Sequence, residues 1–371
     1  GSNNIAQGYQ SLYNNTTGGS NFAQGYKALY CNTSGSNNFA SGCCALGNNT
    51  SGSDNIAQGY KALYCNTTAG VLTCASANIA LGSLALQYNT GSGFSNIGIG
   101  TCALRTNNNG SYNIAIGART LSTNGSVVSA FGTITGGSLY NGSGTATFNN
   151  VTLTLSSGPA PVTYPVANIT VTAGVVTAVT LVTGGTGVSI NTVFTAPVAS
   201  LGNNGGSGFS VPVSTVSAGN YNIALGYQSL YNNTSGCNNF ATGSSALYCN
   251  TTGSNNTAIG YQTLYCNLGS NNFAIGCKAL NYNIYGNNNT AIGYGALLCN
   301  YNGYGNIAQG CKALYCNRTG HDNIAQGSFA LYNNTCGGYN TAIGYSTLYN
   351  NTTGLNNVAI GLCALGSNSY G

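Results

Sequence analysis

The chain has 371 residues, of which 56 are Gly, 27 Tyr and 15 Cys, while only seven are Lys or Arg and two are acidic. Charged residues make up 2%, against roughly a quarter in ordinary globular domains. That excludes a solvated charged face and leaves almost nothing for acid–base catalysis. The net charge of +5 is scattered along the chain, which excludes a nucleic-acid footprint.

At 42% hydrophobic, with apolar residues recurring strictly, the composition is not that of a disordered segment. There is no Met and no Trp, so a processed product or a segment of a longer chain is expected. No signal peptide and no apolar run long enough to span a membrane is found. Fifteen cysteines in so polar a chain point to an oxidising setting, extracellular or on a cell or virion surface. The number is odd, so one thiol stays free or bonds another chain.

Residues 1–126 are a repeat. "GSNNIAQGYQSLYNNTT" opens the chain and returns as "GSDNIAQGYKALYCNTT" from Gly52 to Thr68. The central Ala falls at Ala6, Ala23, Ala40, Ala57 and Ala80, is replaced by Gly98, and returns at Ala115. After a gap it resumes at Ala224 and runs to Ala359, making sixteen copies, seven before the gap and nine after. Nearly every interval is 17 residues, the exceptions being 23, 18 and 16. A Gly two positions later and a Leu six positions later stand in all sixteen.

Gly costs about 1 kcal/mol per helix position, and Asn and Thr are poor helix formers, so the repeat is not helical. "N-I-A-Q-G-Y" alternates, with Asn, Ala and Gly on one face and Ile, Gln and Tyr on the other. The first set is small and nearly fixed, which marks the interior: Ala57, Gly59 and Leu63 in one copy, Ala258, Gly260 and Leu264 in another. "ALY" reads as a second short strand, and "NTTG" has turn chemistry. The expected fold is all-β, a parallel β-solenoid or β-roll of about sixteen rungs. At about 4.8 Å per rung it makes a rod on the order of 75 Å long. Asn residues in register are expected to bond along the stack as ladders.

Residues 127–218 interrupt the period and are rich in Val, Thr and Ser. "NITVTAGVVTAVTLV" from Asn168 to Val182 reads as two strands around an Ala-Gly turn. "GFSVPVSTV" from Gly208 to Val216 reads as a further strand, its Pro suggesting an edge. A small inserted all-β module is expected, serving as spacer, branch or binding head. Residues 219–371 resume the solenoid.

The pattern "NTAIG" at Asn340 to Gly344, in the same phase as the other copies, resembles the head repeats of trimeric autotransporter adhesins of the YadA type. Similar repeats are seen in phage and large-virus fibre proteins. The resemblance implies a left-handed parallel β-roll and a homotrimer. The repeat here is longer than the usual adhesin repeat and carries cysteines that those adhesins lack.

Site chemistry is sparse. His321 is the single His, and Asp54 and Asp322 are the two acids. No converging triad and no clustered metal ligands are apparent, so no catalytic residue, metal or cofactor is assigned. Cys31, Cys65, Cys249, Cys266, Cys299 and Cys316 share one phase. Stacked neighbours among them fall within disulfide range but point in parallel, so a column of thiols is preferred there. Cys65 and Cys74 flank a six-residue insertion and are the candidate disulfide. Sequons recur in phase at Asn32, Asn66, Asn250 and Asn317, with Asn-Asn-Thr variants at Asn14, Asn48, Asn232, Asn333 and Asn350. Tyr26, Tyr60, Tyr261, Tyr294 and Tyr345 are candidate surface or partner contacts.

Neither end shows a capping repeat, which suggests a fragment or a subunit that stacks head to tail. The expected function is that of a non-enzymatic structural protein, the shaft of an extracellular filament or virus-type fibre that self-associates. A receptor- or glycan-binding trimeric adhesin and an ice-binding solenoid are the alternatives.

Overall fold

The alternating Asn-Ile-Ala-Gln-Gly segment of each repeat folds as a three-residue strand, from Ile5–Gln7 to Val358–Ile360. Sixteen such strands stack parallel into one sheet, so the chain is an all-β parallel β-solenoid. The computed structural model describes residues 1–67, 76–90, 93–138, 145–157, 164–173, 175–184, 193–201 and 207–370. The chain divides into two compact units. One holds Gly1–Asn107, Ser111–Asn124 and Gly219–Gly371; the other holds Asn108–Gly110 and Gly125–Ala218. No helix among the described residues is long and apolar enough to cross a membrane.

Register in the first unit is strict. Ala23 pairs with Ala6 and Ala40, and Gly98 takes the same place between Ala80 and Ala115. The six extra residues before Ala80 do not shift it, since Ala57 still pairs with Ala80. Nor does the long interruption, since Ala115 pairs with Ala224. Ala57, Leu63, Ala258 and Leu264 are fully buried, and the outward residue Ile56 is 41% exposed. The Ala and Leu of the inward set are inside as the alternation reads, but Gly59 and Gly260, read as interior with them, are only half-buried, because they open the bend at φ +133° and +132°.

"ALY" is not a strand. It is the bend that turns the chain back, and its Leu adopts a left-handed backbone, with φ +51° at both Leu63 and Leu264. That conformation costs an L-residue roughly 1–2 kcal/mol. Burying the leucine returns about 1.5–3 kcal/mol. Its N–H also bonds the next turn, Leu63 donating to the Ala85 carbonyl at 2.9 Å. Short second strands do form just after the bend, at Cys65–Thr67, Tyr88–Thr90, Thr106–Asn108 and Thr123–Asn124, and at Cys266–Asn267 beside Tyr282–Asn283. The fixed Gly has a steric reason. Gly59 sits at φ +133°, and a Cβ there would lie 2.6 Å from the Gly82 carbonyl oxygen of the next turn.

Two asparagines complete each turn's interior. In the third turn Asn38 Nδ2 donates to Asn21 Oδ1 at 3.1 Å and Asn49 Nδ2 donates to Asn32 Oδ1 at 3.0 Å, both partners lying one turn below. Both amides also donate to one acceptor, the Gly52 carbonyl, at 2.8 and 2.9 Å. Asn239 and Asn250 meet in the same way on Gly253, and Asn306 and Asn317 on Gly320. The first ladder is reinforced by backbone, as Asn38 N–H also bonds Asn21 Oδ1 at 3.0 Å.

The second unit is antiparallel. Thr145–Thr152, Val166–Thr172 and Val175–Thr183 form one sheet. Ser126–Phe131, Ser207–Ala218, Val193–Thr195 and Thr154–Ser157 form another, with Thr135–Ser138 also paired to Ser207–Ala218. Leu153, Ile169, Val171, Phe194, Leu201 and Val211 are its fully buried core. The hairpin read from Asn168 to Val182 lies within Val166–Thr172 and Val175–Thr183, with Ala173 in its bend at φ +50°. The Pro212 strand is not an edge. Its carbonyl accepts from Gly132 at 2.7 Å, on the side where the partner strand breaks between Phe131 and Thr135. The N–H that proline lacks faces that break, so no ladder bond is lost.

The asparagine ladders set a stability test. Replacing Asn250 by Ala removes the acceptor of Asn267 Nδ2, which lies 3.1 Å away, and a donor to Gly253. Each orphaned buried group costs about 1–3 kcal/mol. Leu264→Ala is expected to cost about 2–5 kcal/mol through the cavity it leaves. Tyr261→Ser, on the surface, should stay within about 0.5 kcal/mol. Chemical denaturation of the three variants checks this, and Asn250→Ala behaving like Tyr261→Ser would remove the ladder from the account.

Candidate interaction surface

With the interior occupied by Ala, Leu, Gly and Asn, the outward positions carry whatever chemistry the rod offers. Tyr26, Tyr60, Tyr261, Tyr294 and Tyr345 follow the fixed Gly and are 48–54% exposed. The more regular aromatic array is the other tyrosine column, one residue past the buried Leu. Tyr231, Tyr248 and Tyr265 stack on successive turns with ring centroids 5.2 and 5.1 Å apart. Tyr315, Tyr332 and Tyr349 do the same at 5.1 Å. The rings lie nearly parallel, so each covers its neighbour's face.

The left-handed residue two after the Gly swings its side chain beside the tyrosines. Lys27 Nζ lies 5.4 Å from the Tyr26 ring and 5.2 Å from Tyr30. Lys61 sits likewise between Tyr60 and Tyr64. These are cation–π positions. In the turn between them Cys43 and Cys44 stand in the same two places, and their sulfurs approach to 3.6 Å.

The one histidine is embedded in an aromatic column. His321 stacks on Tyr304 at 4.9 Å, receives the edge of Tyr339 at 4.9 Å, and its Nδ1 lies 3.1 Å from Asp322 Oδ2. Among the described residues no three His, Cys, Asp or Glu side chains come together as a metal would require.

The four sequon asparagines are not on the surface. Asn32, Asn66, Asn250 and Asn317 are fully buried members of the second ladder. A glycan on Nδ2 would break the ladder and has no space, so a glycan column there is excluded in the folded stack. The outward residue is the one before. Asn14 and Asn350 are exposed and Asn48, Asn232 and Asn333 half-buried, in the column that also holds the cysteines. There Cys31 Sγ donates to Asn48 Oδ1 at 3.8 Å, and Asn48 Nδ2 donates to Cys65 Sγ at 3.6 Å. Cys74, the expected partner of Cys65, lies outside the described residues. The signal missed in the sequence was available. Asn stands nine residues after the anchor in all sixteen copies, a constancy that surface turn chemistry does not demand.

Burial raises the phenols of Tyr248, Tyr265, Tyr315 and Tyr332 above their ordinary 10.0. Burial, then the neighbouring Cys266, pushes the Cys249 thiol up to about 12. These acids hold their protons more tightly folded than unfolded. Their contribution is complete below the unfolded values and is lost as pH rises through the folded ones. An alkaline titration followed by circular dichroism should show stability level below about pH 9 and falling toward about pH 12. Expression in a glycosylating host is expected to yield folded protein without glycan at Asn32, Asn66, Asn250 or Asn317, as peptide mass mapping would reveal.

No family model, no curated protein and no solved structure matches the chain.

Proposed function

We propose that the chain is a non-enzymatic structural protein, the β-solenoid shaft of an extracellular filament or virus-type fibre. One observation carries this reading: both asparagine ladders and the sixteen-stranded sheet run on through the interruption of the repeat. An interior satisfied only by neighbours along one axis gains stability by adding turns. Each turn offers the same donors and acceptors to the next, so a turn of one copy is a template for a turn of another. Such a head-to-tail contact does not close on itself and gives an open fibre. The near absence of charge removes the usual obstacle to that pairing.

The resemblance of the repeat to adhesin head repeats supports the same architecture and adds a homotrimer as a lateral arrangement. The half-exposed tyrosines favour one second reading, an adhesin that recognises a receptor or glycan, because aromatic surface of this kind is seldom left uncovered.

Negative-stain microscopy of the full chain at rising concentration tests the shaft. Fibres of constant width that lengthen with concentration are expected, and discrete rods of one length at every concentration would overturn it. A glycan array separates the adhesin. Binding that is lost in Tyr60→Ala and Tyr261→Ala supports it, and an array blank for the full chain removes it.

A further inference from the structure

The outward column that follows the stacked tyrosines reads, on successive turns, Asn232, Cys249, Cys266, Tyr282, Cys299, Cys316, Asn333. Its four cysteines thus fall into two isolated pairs, each bounded above and below by a residue that is not cysteine. All four are half-buried free thiols.

The first pair is held in register from both sides. Immediately before it, the rings of Tyr248 and Tyr265 stack at 5.1 Å with their planes 4° apart. Immediately after it, Asn267 Nδ2 donates to Asn250 Oδ1 at 3.1 Å. The backbones are joined directly, Cys249 N–H donating to the Tyr265 carbonyl at 2.9 Å. Between these clamps the two sulfurs lie 3.8 Å apart. Neighbouring strands are about 4.8 Å apart, inside the Cα separations that a disulfide accepts. The second pair shares the asparagine and backbone clamps but not the aromatic one: Asn317 Nδ2 donates to Asn300 Oδ1 at 2.8 Å and Cys299 N–H bonds the Tyr315 carbonyl at 3.1 Å, while Leu298 stands in the place of Tyr248. Parallel side chains argue against a bridge for ideal strands. Here the sulfurs have already turned toward each other, which removes that objection for Cys249 and Cys266.

We propose that Cys249–Cys266 and Cys299–Cys316 are modification sites, two cross-turn clasps that close when the rod meets a low-molecular-weight disulfide such as oxidised glutathione. One cysteine of a pair loses its proton and attacks a sulfur of the small disulfide, forming a mixed disulfide and releasing one small thiolate, which takes up a proton. The second cysteine then loses its proton, attacks the protein-bound sulfur and releases the other small thiol. Two protein thiols are oxidised to one disulfide, and one small disulfide is reduced to two thiols. Each clasp ties a turn to the next and leaves the fold's register unchanged. The inference does not depend on the rod being a fibre shaft.

The test uses the full chain, reduced and then incubated with oxidised glutathione, alkylated and mapped by peptide mass spectrometry. Linked peptides Cys249–Cys266 and Cys299–Cys316 are expected, with alkylation lost at all four residues and restored by dithiothreitol. In Cys249→Ser, Cys266 has no resolving partner and should be found alkylated or as its mixed disulfide with glutathione, never in a protein crosslink, while the second clasp persists. Circular dichroism reports whether that variant keeps its fold, and the unmodified chain decides the matter if it does not. Continued alkylation of both Cys249 and Cys266, their capture by glutathione without linkage to each other, or their linkage to other cysteines would each overturn the proposal.

Discussion

The structure depends on a buried primary amide finding its partners. An asparagine sealed inside a narrow coil must place one acceptor and two donor hydrogens, and leaving any unmet costs about 1–3 kcal/mol. In this rod the partners are the same amide one turn away and a glycine carbonyl of its own turn, as for Asn38 on Asn21 and Gly52. In turns such as those of Gly52, Gly253 and Gly320 the two ladders converge on one carbonyl, so the cross-section there is closed by hydrogen bonds rather than by apolar bulk. Register follows. Sliding one turn by a single residue would strand both amides at once, a stronger penalty than apolar packing of Ala on Ala imposes.

That polar frame explains why the rest of the interior is small. Between the ladders there is room for Ala57, Ala62 and Leu63, all fully buried, and for little else. Bending the chain back within 17 residues places three positions per turn, besides the fixed Gly, at positive φ, and they are usually not glycine, as at Asp54, Lys61 and Leu63. Two of the three project outward and gain little from burial, while Leu63 offsets its cost by filling the core. Charge is scarce for a related reason. A residue repeated on each turn stacks on its own copy about 4.8 Å away, and a repeated charge would repel along the whole rod.

The periodicity, the inward set and the parallel stacking were legible because self-similarity at a fixed interval leaves few alternatives. The asparagine columns were equally plain as a count, standing two before and nine after the anchor in all sixteen copies. Their burial was not plain, because Asn is also the residue that turns prefer. Asn-Thr therefore read as surface sequons, where Asn32 and Asn250 are interior struts. The left-handed leucine was illegible for a different reason. Nothing in "ALY" distinguishes a strand from a bend, and Leu is a poor prior for positive φ. Pro212 misled by the same route, since a break in a neighbouring strand is not written in the sequence of its own.

The interruption of the repeat follows from the frame as well. The chain leaves the rod at Asn124 and rejoins it at Gly219, and these residues are bonded to each other, Asn124 Nδ2 donating to the Gly219 carbonyl at 2.8 Å. Asn113 donates to the same carbonyl at 2.9 Å, so both ladders meet there as in an uninterrupted turn. Above it Asn222 and Asn233 continue the ladders onto Asn113 and Asn124 at 3.1 and 3.2 Å. The entropic cost of closing a longer loop grows only logarithmically with its length. A turn whose exit and entry are pinned by these four buried amide bonds can therefore carry a second compact unit without loss of register.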